Sequence, residues 1–76
     1  MQPALFRLGA IVATPDFLAA VPRPAMVQAI KRHATEPRPI RDGQPILSDH
    51  TYGNLGFFLL TDAERHHTSI RLVGER

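Results

Sequence analysis

Residues 57–73, FFLLTDAERHHTSIRLV, join a continuous apolar run to an alternating one across a short polar interval. An apolar run bounded by turn residues reads as a strand buried on both faces, whereas Ile70 and Leu72 alternating with Arg71 read as a strand with one dry face. Asp62 suits the start of the turn because its carboxylate can accept hydrogen bonds from backbone N–H groups just ahead of it, and Ala63, Glu64 and Arg65 fit a tight turn. The stretch therefore predicts a hairpin with FFLLT as its central strand. Residues 46–52, ILSDHTY, followed by a turn at residues 53–56, GNLG, supply one more strand and complete a three-stranded meander.

Upstream, residues 35–45, TEPRPIRDGQP, contain three prolines and a glycine, so neither a helix nor a central strand passes through them. Before this loop, residues 25–35, AMVQAIKRHAT, place Met26, Val27, Ile30 and Ala34 at helical spacing, with Gln28, Lys31 and Arg32 on the other side and Pro24 opening the helix. A shorter helix is expected over residues 14–21, TPDFLAAV, with Thr14 as cap, Pro15 at the first helical position and Pro22 as its end. Residues 4–14, ALFRLGAIVAT, alternate as a strand, Phe6, Leu8, Ala10 and Val12 on the dry side and Arg7, Gly9 and Ile11 opposite. The expected fold is a small single α+β domain spanning residues 1–76. Its elements run β-α-α-β-β-β, an antiparallel sheet of the N-terminal strand plus the meander carrying two short helices on one face.

A chain of 76 residues builds a small core, supplying no more than about 3–5 kcal/mol net. The absence of cysteine excludes disulfides and thiolate metal sites. Self-association is the remaining common device, and open sheet edges or an uncovered sheet face invite it, so a homodimer is expected. The first residues lack the basic lead of a signal peptide and no stretch is long enough to span a membrane, which makes cytoplasmic residence the expectation. Nine basic and seven acidic residues leave a net charge of +2, with eight of the nine basic residues arginine. That balance permits an acidic partner and argues against an acidic mimic of DNA.

No spacing picks out a catalytic site. His33, His50, His66 and His67 with Arg65 and Arg71 could compose a metal-free ribonuclease site of the kind a small toxin uses, but Ser48, Ser69 and the threonines lie in no nucleophile elbow and no glycine-rich phosphate loop precedes a helix. Adjacent His66 and His67 on a strand would face opposite ways, so a shared metal ion is not expected, nor is any cofactor. Lys31, Arg32, His33, Arg38 and Arg41 suit a helix C-terminus, whose dipole favours cations. Phe6, Phe17, Phe57 and Phe58 lie in apolar runs and read as core, leaving Tyr52 as the free ring, too little for a single-strand stacking platform. Direct nucleic-acid binding is therefore not expected. The expected partner surface combines Lys31, Arg32, Arg38 and Arg41 with Asp62, Glu64 and Arg65, a mixture of charge that suits protein recognition better than phosphate tracking.

Three blocks, LGAIVATPDFLAAV (residues 8–21), IKRHAT (30–35) and GQPILSDHTYGNLGFFLLTDAERHHTSIRLVGE (43–75), resemble a family of short proteins carried on plasmids, prophages and other mobile elements. Its members read LG-x-IVATPGAL, then a helix with an Arg-His pair, then a TEADRS-x-TT-x-LLPE ending. Leu8 to Pro15, Arg32 with His33, and Thr61 to Leu72 correspond. This chain has the basic TEPRPIRDG where those relatives carry an acidic insert with a GDW-like motif. The resemblance implies strand, helices and antiparallel sheet in a mobile-element setting, with no reaction attached. In kind the chain also resembles the small inhibitors of host defence, and anti-CRISPR proteins acting on type I systems in particular. Such inhibitors bind a surface of the guide-RNA complex or its nuclease and keep target DNA from engaging. A non-enzymatic inhibitor of phage or plasmid defence is the leading expectation, with a ribonuclease-type toxin or a nucleic-acid-binding regulator as alternatives.

Overall fold

A computed structural model describes residues 5–36, 38–41 and 43–74. Ala4, Pro37 and Asp42, which belong to the expected first strand and to the proline loop, lie outside the described residues. The elements are β1 (Ala10–Ala13), α1 (Pro15–Ala20), α2 (Arg23–Thr35), β2 (Ile46–Tyr52), β3 (Leu55–Thr61) and β4 (His67–Leu72). They form one four-stranded sheet in the order β1-β4-β3-β2. The meander is antiparallel throughout, as the turn chemistry requires, but β1 joins its β4 edge in parallel, so the sheet is mixed and mostly antiparallel where an antiparallel sheet including the N-terminal strand was expected. A parallel pair needs a long crossover, and both helices, the proline loop and the β2–β3 hairpin lie between these two strands in the chain.

Local signals act where the sequence places them. The Thr14 side chain accepts from the Phe17 N–H at 3.3 Å and Pro15 occupies the first turn of α1. Gly53, at φ +59°, turns the β2–β3 hairpin. Asp62 accepts at Oδ1 from the N–H groups of His66 (2.7 Å) and His67 (3.2 Å), making the β3–β4 turn that its position predicts. Both helices lie on one face of the sheet. Phe17, Val21 and Ala29 from the helices pack there with Phe57, Leu59 and Ile70, and the rings of Phe17 and Phe57 have centroids 5.0 Å apart. The molecule measures 32 × 29 × 19 Å, as expected of one helical layer on one sheet.

Four further expectations change. Helices cover β3 on one side alone, so Phe57, Leu59 and Thr61 are buried while Phe58 and Leu60 stay half-buried on the open face. In β1 the helix-facing side is the opposite one: Ile11 and Ala13 pair with Thr68 and Ile70, whose side chains face the helices, and Ala10 and Val12 face outward, yet Ile11 is still 42% exposed, so neither side of this edge strand is dry. Gly9, at φ +67°, breaks the alternation before the strand begins, which uncouples Phe6 and Leu8 from it. Helix α2 starts at Arg23 and buries Ala29, His33 and Ala34, whereas Val27 is 40% exposed. Finally, Phe6 is not in the core cluster; it packs edge-on against His33 with centroids 5.2 Å apart.

Leu59 has no exposed surface, so Leu59→Asp buries an unpaired charge at a cost of several kcal/mol, comparable to the whole net stability of so small a domain. Loss of the folded far-UV circular dichroism spectrum is the expected outcome. A Cβ on Gly9 would lie 2.2 Å from the His66 carbonyl oxygen, where Ala10 N–H docks β1 onto β4 at 2.9 Å. Gly9→Ala is expected to lower stability by about 2 kcal/mol or more through that clash and the left-handed backbone together, read as a shift in the urea midpoint.

Candidate functional site

Inward-pointing polar side chains at the end of α2 and along the sheet form one hydrogen-bonded chain, and its direction follows from counting protons. Thr68 Oγ1 donates to the Leu8 carbonyl at 2.7 Å. A hydroxyl carries one proton, so Thr61 must donate to Thr68 across their 2.8 Å contact. Thr61 then accepts from His33 Nε2 at 2.8 Å, which places the ring proton on that nitrogen. Burial, reinforced by the positive charges of Arg38 and of His50 when protonated, lowers the His33 pKa to about 4, so its Nδ1 is bare at neutral pH. Ser48 donates to that Nδ1 at 2.5 Å and accepts from His50 Nε2 at 2.8 Å. The sequence of donors is His50, Ser48, His33, Thr61, Thr68, ending on a backbone carbonyl, with each link polarising the next.

At its outer end the chain meets a cleft of about 500 Å³ between α2 and β2, lined by Gln28, Ala29, Arg32, His50 and Phe57 among others. The His50 ring stacks on Phe57 with centroids 5.5 Å apart, and burial first, then Arg32, depresses its pKa. Ser48 facing a neutral imidazole has the outline of a nucleophile and its base. A buried imidazole with a pKa of about 4 is a weak base at neutral pH, however, and Ser48 sits between two histidines. What the arrangement does is fasten the end of α2 to β2, β3 and β4.

The charged residues expected at a partner surface meet at one end of the molecule in part. Arg65, in the left-handed conformation at φ +63°, donates from Nη1 to the carbonyls of Gln44 (2.6 Å) and Asp62 (2.9 Å) and from Nη2 to that of Arg41 (3.1 Å). It thereby ties the β3–β4 turn to the proline loop. Arg38 donates to the carbonyls of Arg32 and Glu36, closing the C-terminus of α2. Asp62 is occupied by its turn: desolvation pulls its pKa upward, but the N–H groups of His67 and His66 and the His67 ring hold the carboxyl below its ordinary value. Arg41 and Glu64 are exposed at this end, Arg32 is exposed and reaches Glu36 at 3.9 Å, and Lys31 is exposed about 100° away around the helix. Asp62, Arg65 and Arg38 thus act first as fasteners of this surface, and Lys31, Arg32, Arg41 and Glu64 carry its exposed charge.

Histidines 33 and 50 meet through Ser48, while His66 and His67 lie at the turn beside Glu64 (3.3 Å) and Asp62 (3.1 Å). Among the described residues no group of three or more His, Asp or Glu side chains converges as metal ligands would. No helix among them is long and apolar enough to cross a membrane. The buried chain was missed by sequence reasoning, although its signal was present: His33 lies four residues after Ala29 on the inward stripe, and Thr61 and Thr68 occupy inward positions of β3 and β4. No family model matches this sequence, and no curated protein or solved structure shows significant similarity to it.

Because His33 resists protonation in the fold, the unfolded chain binds the additional proton between the ordinary histidine pKa of about 6.5 and the folded value of about 4. Stability is then complete above pH 6.5 and falls as pH drops toward 4, by on the order of 3 kcal/mol, with His50 acting in the same direction. Urea midpoints across this window are expected to fall steeply for the wild type. His33→Gln, which can still donate to Thr61 and accept from Ser48, is expected to be less stable at pH 7 and to show a flatter profile.

Proposed function

We propose that the chain is a non-enzymatic binding protein that inhibits a host defence system, an anti-CRISPR protein acting on a type I surveillance complex by covering a surface that target DNA must reach. The observation that carries the binding reading is the fastened, mixed-charge end of the molecule. Arg65 donates to the carbonyls of Gln44 and Arg41, and Arg38 to those of Arg32 and Glu36, so the end of α2 that carries Arg32, the loop that carries Arg41 and the turn that carries Glu64 are held in place before a partner arrives. Preorganisation of this kind reduces the ordering entropy lost on binding. Interspersed acids favour a protein surface of matching pattern over a phosphate backbone, which would select uniformly basic residues. The choice of a defence complex as partner rests on the resemblance of the three sequence blocks to mobile-element proteins and on the chain's likeness in kind to small defence inhibitors.

Phage plating on a host with an active type I CRISPR system tests both parts. Expression of the protein is expected to restore plaques without slowing growth, and the tagged protein to retain a component of the surveillance complex. Arg32→Glu combined with Arg41→Glu is expected to lower plaque recovery at least tenfold while the urea midpoint stays within about 0.5 kcal/mol of wild type, since both side chains are exposed. Unchanged plating with normal growth would remove the anti-CRISPR assignment, and growth arrest relieved by His66→Ala or His67→Ala would favour a toxin.

A further inference from the structure

Among the described residues no layer covers the sheet face opposite the helices, and the composition of that face is unlike a solvated one. Val12 is 53% exposed and Leu47 56% exposed, while Phe58 and Leu60 lie half-buried between them. The register aligns these residues in rows across the strands. Val12, Ser69, Leu60 and Leu47 make one row, and Arg71, Phe58 and Asp49 make the next. In the second row a cation on β4 and an anion on β2 stand on either side of an aromatic ring on β3, both charges exposed.

That row is complementary to itself. A two-fold rotation about an axis parallel to β3, lying above Phe58 and Leu60, sets β3 over its own copy and β4 of one molecule over β2 of the other. Phe58 then meets Phe58 and Leu60 meets Leu60, while Arg71 of each copy faces Asp49 of its mate, giving two identical ion pairs around an apolar centre. Packed sheets lie about 10 Å apart, a gap that an arginine and an aspartate together span. A standard interface of about 800 Å² per partner would take about a seventh of the 5420 Å² surface. From this self-complementarity we infer that the open sheet face binds a second copy of this chain, forming a face-to-face homodimer in which Arg71 pairs with Asp49 across the two-fold axis.

Sedimentation at about 100 μM, above the micromolar constants that bound interfaces of this size, reads the assembly directly. The wild type is expected to sediment at twice its 8.5 kDa mass. Asp49→Arg and Arg71→Asp are each expected to be monomeric and folded by circular dichroism, because each sets like charges against one another across the axis. Mixing these two variants is expected to restore a dimer, as is combining both changes in one chain. A monomeric wild type would overturn the proposal and give the face to another occupant. A dimer indifferent to either reversal would overturn it by placing the contact elsewhere, and a mixture that stays monomeric would overturn the two-fold pairing.

Discussion

The hydrogen-bonded chain centred on His33 is the constraint on which the arrangement of the other elements depends. It contacts every part of the sheet's helix-facing end: Ser48 on β2, Thr61 on β3, Thr68 on β4 and, through Thr68, the Leu8 carbonyl ahead of β1. Buried polar groups are tolerable in so small a core when each finds its partner, and a half-satisfied network would be worse than an apolar one. Here the count of protons closes, since every hydroxyl both donates and accepts and His33 uses one nitrogen in each role. The geometry therefore fixes a single tautomer of His33, and it fixes the position of the end of α2 relative to three strands. Apolar contacts alone, which lack direction, would not specify that position so narrowly.

This arrangement also explains how the proline loop is held. The loop leaves α2 immediately beyond the anchored His33 and returns into β2 at Ile46, so both of its ends are fixed by the buried chain and the core. Arginine side chains then replace secondary structure as the source of backbone partners: Arg38 serves the last carbonyls of α2, and Arg65 reaches from the opposite turn to Arg41 and Gln44. A planar, permanently charged donor suits this task because it can satisfy several carbonyls at once. The same residues that read as candidate recognition cations in the sequence thus have a prior structural use. The cations left over are those of Arg32, Arg41 and Lys31.

Two short helices cannot cover both sides of a four-stranded sheet. The consequence is a molecule with distinct surfaces: a fastened charged end, a cleft beside His50, and an open sheet face that carries apolar side chains flanked by Arg71 and Asp49. For a cysteine-free chain of 76 residues, burying that face against an identical one would add apolar contact that the isolated domain cannot supply.

Element order, the start of α1, the Asp62 turn and the glycine hairpin were legible because each depends on interactions within a few residues. Thr14, Pro15, Gly53 and Asp62 act on backbone groups that the chain brings to them automatically. Element type is local in the same way, since the period of the apolar residues sets it. The sequence by itself thus determined an α+β chain in the order β-α-α-β-β-β. It did not determine which side of β1 faces the helices, because Gly9 interrupts the alternation and the register with β4 decides the facing. Nor could it show that Phe58 and Leu60 lie on an uncovered face, which depends on where the helices dock. The pairing of His33 with Thr61, 28 positions away, and the reach of Thr68 back to Leu8 across 60 positions were decided by tertiary structure alone. Hydrogen bonds at that separation exist only once the sheet has brought their partners together, and no periodicity in the chain encodes which partner that is.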